Sequence, residues 1–143
     1  MRHWLVKSEP DAFSWDQQVA NGVEPWTGVR NATAARNLRE MALGDQAFFY
    51  HSNIGKEIVG VVEVVRTAYP DPTDATGRWV CVDVKALGPV PRKVTLAGIK
   101  ADPRLAELAL VRQSRLSVMP VGAEHWAILC DMAGWKDEAS RAA

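Results

Sequence analysis

The chain is poor in cysteine, and its two cysteines, Cys81 and Cys130, exclude a disulfide-stapled scaffold. Neither has a partner at metal-ligand spacing, so both are predicted to be reduced and buried. No apolar run approaches the roughly 18 residues of a membrane span. The first residues, MRHWLVKSEPD, are polar and charged where a signal peptide would be apolar, which predicts a cytoplasmic protein with no membrane association. Net charge is also missing, since 17 Lys and Arg balance 17 Asp and Glu. Blanket attraction to phosphate is therefore not expected, because that requires an excess of cations. GxGxxG, P-loop, HExxH, GxSxG and CxxC signatures are all absent, which removes the chemistries they carry. His3, His51 and His125 are too scattered to form a metal site at sequence level.

What is present begins with an ordinary globular balance: 143 residues, 48% apolar and 24% charged, enough for one core and one domain over 1–143. Charge is uneven along the chain. Residues 26–39 hold Arg30, Arg36 and Arg39 without an acid, and residues 91–115 hold six basic residues against Asp102 and Glu107. A basic face opposite an acidic one is one outcome if those segments meet; arginines scattered over a solvated surface are the equal alternative.

Patterning places strands at HWLVK (3–7), QAFFYHS (46–52), EIVGVVEVVR (57–66), RWVCVDVKAL (78–87) and RLSVMPV (115–121). Ser14 with Gln17 reads as a capping box opening a short helix, and Asn31 as the N-cap of a second. Asp102 and Pro103 open a third helix, through about Leu110, and residues 123–134 form a closing one. The stretch YPDPTDATG (69–77) reads as a loop. Five to six strands with short helices and no regular alternation argue an α+β fold, a small closed or nearly closed barrel flanked by helices.

Two segments invite a ligand. In KSEP (7–10), Lys7 and Glu9 bracket Ser8; they could move protons if buried, but a strand-locking pair or a ligand-contact set is the reading preferred. In WTGVRN (26–31), Trp26 stands on a turn between Pro25 and Thr27-Gly28 rather than in a periodic apolar face, and Trp79 beside Arg78 is similar. Trp4, Trp15 and Trp126 sit at core spacing. An aromatic plane near Arg30, Asn31, Tyr50, His51 and Ser52 would combine stacking with donors and acceptors, as nucleobases require. Cys81 paired with His51 would be an alternative nucleophile and base, although Cys81 lies in a Val-rich strand.

WLVKSEP, WTGVRNATAARN, GDQAFFYHSN, IVGVVEV, WVCVDV, LAGIKADPRL and RLSVMPV occur in order, and together they resemble the EVE domain family of the PUA-like superfamily, over about residues 3–134. The resemblance implies a PUA-like pseudobarrel of five to six mostly antiparallel strands with flanking short helices. It implies a pocket for a modified base in DNA or RNA, taken out of its stack. Carried over, the pocket comprises Lys7, Ser8 and Glu9; Trp26, Val29, Arg30 and Asn31; Tyr50, His51 and Ser52; with Ser114, Arg115 and Ser117 nearby. Gly28 would let backbone approach the base, and Arg36 and Arg39 would hold phosphates. The expected function is non-catalytic binding of a modified base in nucleic acid, without metal or organic cofactor. The rivals are a small hydrolase of a modified nucleoside, using Lys7 and Glu9, and a module that captures a peptide or metabolite.

Overall fold

Two adjacent phenylalanines organise the molecule. In a strand successive side chains point to opposite faces, so Phe48 and Phe49 serve two different layers of core. Phe48 stacks on Trp126 with ring centroids 4.1 Å apart, while Phe49 meets Trp15 and Trp26 edge-on at 5.3 and 5.5 Å. Their strand is buried on both faces as a result.

The computed structural model describes residues 1–136. In chain order the elements are β1 (His3–Ser8), α1 (Trp15–Asn21), β2 (Val23–Pro25), α2 (Ala32–Glu40), β3 (Gln46–His51), β4 (Glu57–Pro70), β5 (Val80–Thr95), α3 (Leu96–Ala101), a 3-10 turn (Pro103–Leu105), α4 (Ala109–Arg112), β6 (Val118–Val121) and α5 (Ala123–Ala133). Six strands form one mixed sheet in the order β2-β5-β4-β3-β1-β6, parallel only between β1 and β3. The α+β expectation holds, with six strands, mostly antiparallel, and short flanking helices.

The sheet is not closed by hydrogen bonds. Its edges are β2 and β6, both short and both containing a proline, Pro25 and Pro120, which cannot donate to a further strand. Helix α2 packs against both β5 and β6 and so bridges the open side. Asn37 on its buried face fixes that bridge by donating to the carbonyl of Val118 at 2.7 Å.

The capping signals act as expected. Ser14 and Gln17 form the reciprocal box at α1, and Asn31 accepts from the Ala34 amide at 2.9 Å to start α2. Elsewhere the elements run differently. Strand β4 continues to Pro70 and β5 to Thr95, although Gly88, Pro89 and Pro91 resemble a turn; register shifts along the β4–β5 pair absorb these residues. The helix expected from Pro103 to about Leu110 is broken into the 3-10 turn and the single-turn α4, and α3 precedes it, capped by Thr95. Only Val118–Val121 of the segment 115–121 pairs as a strand.

Candidate nucleic-acid interface

The turn after β2 carries Trp26 into the interior. Its amide donates to the carbonyl of Val82 at 2.7 Å, its ring meets Phe13 and Phe49 edge-on, and only 7% of the residue is exposed. An exposed stacking tryptophan on a free turn is thereby corrected: Trp26 is a core residue that also walls a cleft. Trp4, Trp15 and Trp126 are buried as expected, and Trp135 joins them.

That cleft has a volume of about 440 Å³. Phe13, Pro25, Trp26 and Val29 supply apolar wall, and Lys7, Glu24, Thr27, Arg30 and Ser117 supply polar groups. Lys7 enters from the end of β1. Its backbone amide donates to the Ser117 carbonyl and its Nζ to the Ser114 carbonyl, both at 2.9 Å. Burial lowers its pKa below the ordinary lysine value.

Beneath the rim lies Asp71, fully buried and the anchor of the turn. Its Oδ2 accepts from the Gly28 amide at 2.8 Å and from the Arg30 guanidinium at 3.0 Å. Its Oδ1 accepts from the amide and hydroxyl of Thr73. Burial alone would raise its pKa, but the hydrogen bonds from Thr73, Gly28 and Arg30 outweigh that and hold it well below the usual carboxylate range. The Gly28 amide, with φ of 84°, is therefore committed to Asp71 rather than open to a ligand. Arg30 is half committed: it also reaches Thr73, yet its side chain keeps 37% exposure at the cleft.

The remaining sequence-derived residues divide among different surroundings. Tyr50 and Ser52 line a neighbouring opening that shares Lys7 with the cleft and Ser114 with a third opening. Asn31, Ser114 and Arg115 line that third opening. Lys7 and its bond to Ser114 thus mark the boundary where the openings adjoin. Ser8 donates its hydroxyl to the Phe13 carbonyl and lines none of the three; Glu9 is exposed and lines none either. His51 accepts from the Trp15 amide at 3.0 Å through Nε2, its pKa lowered chiefly by burial. Opposite Glu57 in the sheet, it is far in register from Cys81, which faces Tyr69, so no Cys-His pair forms. Trp79 lies under the Arg78 guanidinium at 4.9 Å, with its amide held by Asp74, away from the cleft. Arg36 faces Glu40 at 3.8 Å, and Arg39 donates to the Arg78 carbonyl.

Part of the basic charge in residues 26–39 and 91–115 is neutralised by ion pairs. Arg104 pairs with Asp102, Arg112 with Glu107, Lys93 with Glu57, and Arg30 with Asp71. Both cysteines are buried and do not form a disulfide with each other. Among the described residues no three His, Cys, Asp or Glu side chains converge, and no helix is long and apolar enough to cross a membrane.

Asp71 escaped sequence reading because its loop looked like mere punctuation. A signal was there: Asp71-Pro72-Thr73 and Asp74-Ala75-Thr76 repeat Asp-x-Thr, and in both the carboxylate takes the threonine's amide and hydroxyl. Phe13, Glu24 and Pro25 gave no comparable sign.

An open mixed sheet bridged by a helix, with an aromatic and polar cleft beside a buried carboxylate, defines the class: a small α+β binding domain. The family model for the EVE domain matches residues 2–132, and the chain belongs to that family. It is 37% identical to thymocyte nuclear protein 1 of Gallus gallus over 87% of this chain and 65% of that protein, so it spans about two thirds of that relative's length. An NMR structure of a Rhodopseudomonas palustris protein superposes with a TM-score of 0.90 at 57% identity, covering 97% of each chain. A crystal structure of human THYN1 in complex with DNA containing 5-methylcytosine superposes with a TM-score of 0.87 at 30% identity, covering 96% of this chain and 100% of that one.

Proposed function

We propose that the protein binds nucleic acid through a modified base held in the cleft between Lys7 and Trp26, with 5-methylcytosine in DNA as its first candidate. The observation that carries this is the cleft itself: apolar walls fixed by packing, a cation held in place before any ligand arrives, and a volume within the range of small-ligand pockets. A cytosine edge needs an acceptor for its amino group and a donor for its carbonyl; Glu24 and Lys7 are of those types. A methyl group needs apolar wall, which Phe13, Pro25 and Val29 offer. The human relative's complex with 5-methylcytosine DNA supports the same ligand class.

Binding without catalysis is the favoured form. Lys7 lines the cleft and Glu9 lies outside it, so the two do not form a proton-transfer pair there. The test is a titration of matched DNA and RNA oligonucleotides differing only by the methyl group, at fixed salt. Burying one methyl is worth about 0.8 kcal/mol, close to fourfold. Equal affinity for methylated and unmethylated strands would overturn the reading, as would turnover of free modified nucleosides.

A further inference from the structure

Beside the Trp26 cleft, three lysines line one opening to which no carboxylate among the described residues contributes. Lys7, Lys56 and Lys100 line this second opening of about 280 Å³, with Tyr50, Ser52 and Asn53 among its other walls and, among the described residues, no Asp or Glu. The lysines come from three places: the end of β1, the turn between β3 and β4, and the last turn of α3. That turn is held at both ends. The Ser52 amide donates to the Ser8 carbonyl at 2.9 Å, and the Leu96 amide to the Lys56 carbonyl at 2.8 Å. Asn53 and Lys56 both adopt left-handed backbone, φ 68° and 50°, a conformation costly for residues with a Cβ.

Charge accounting sets this opening apart. Arg30 is held by Asp71, Arg36 faces Glu40, and Arg39 donates to the Arg78 carbonyl. Lys56 and Lys100 take part in no ion pair among the described residues. Cations gathered without a counter-charge repel one another, and one anion among them relieves all three.

We propose that the Lys7–Lys56–Lys100 opening is a phosphate site, taking the phosphodiester next to the base that occupies the Trp26 cleft. Lys7 lines both openings, so base and phosphate adjoin across one side chain. The strand's identity rests on the modified-base reading above; the anion site rests on the lysines alone.

The test is oligonucleotide affinity as a function of salt, for methylated and unmethylated DNA, with the full chain. Lys56→Gln/Lys100→Gln should make the slope of log affinity against log salt shallower by about 1 to 2, leaving the methyl preference unchanged. Lys56→Arg/Lys100→Arg, which keeps both charges, should restore the slope and so separates charge loss from misfolding. An unaltered slope with the methyl preference intact overturns the phosphate site and spares the base reading. A shallower slope in a protein that never prefers methylated DNA supports the phosphate site and overturns the base reading. If the lysine changes weaken binding of free 5-methyl-dCMP but not of oligonucleotides, the site takes a free nucleotide's phosphate and the strand assignment fails.

Discussion

Trp26 belongs to the core and also walls the cleft, and Asp71 anchors the turn that carries it. With its ring against Phe13 and Phe49, Trp26→Ala should cost about 3 to 5 kcal/mol of stability as well as binding. Chemical denaturation checks it; full stability in the variant would return Trp26 to a purely ligand-facing role. Asp71→Ala strands the Arg30 guanidinium and the Gly28 amide together, and should cost about 1 to 3 kcal/mol at neutral pH. The pH dependence has a definite sign. Asp71 has a depressed folded-state pKa, so its contribution is complete above the unfolded value of about 3.9 and is lost as pH falls below that toward the folded value. Wild type and Asp71→Ala should therefore differ most above about pH 5 and converge in acid, as urea midpoints measured across pH would show. Sequence patterns marked the WTGVRN turn as special but not Trp26 as buried. Its partners lie 13 positions before and 23 after it, and no periodicity reports contacts of that kind.

Elements built on local signals were legible, and so were the cores of five strands, but the lengths that pairing gives those strands were not. The capping box at α1 needs only Ser14 and Gln17, so both its existence and its start could be read. Removing it with Ser14→Ala should cost about 1 kcal/mol, measurable by the denaturant midpoint. The far half of β5 contains Gly88, Pro89 and Pro91, which locally spell a turn; its partner β4 overrides that spelling through shifted register. Gly60 on β4 shows what such pairing demands. A Cβ there would come within 2.5 Å of the Trp15 ring, so α1 lies directly on bare backbone. Gly60→Ala should push Trp15 and its helix off the sheet, costing about 1 to 3 kcal/mol. Trp15 fluorescence cannot be isolated among six tryptophans, so NMR shifts along α1 are the better readout; unchanged shifts would contradict the close packing. The same sequence logic explains α3, which was missed because Thr95, its cap, sits at the end of what reads as loop.

At the scale of the molecule, part of the basic charge cancels because charge in sequence says nothing about where the counter-charge lies. Arg112 and Glu107, five residues apart, cancel within the very segment that looked cationic. The sheet order has a different lesson. Strand β1 sits between β3 and β6, so that among the described residues the first strand pairs with the last, and Lys7 is held by Ser114 and Ser117 just before β6. During synthesis, β1 must wait with one side unpaired until more than a hundred further residues have been made. Nascent chains stalled before Val118 should stay sensitive to protease and retain no methylated oligonucleotide, whereas chains released past α5 should resist and bind. The cleft, on this view, comes into being only once the segment from Ser114 to Val121 has emerged, so a nascent chain stalled earlier lacks the wall that holds Lys7.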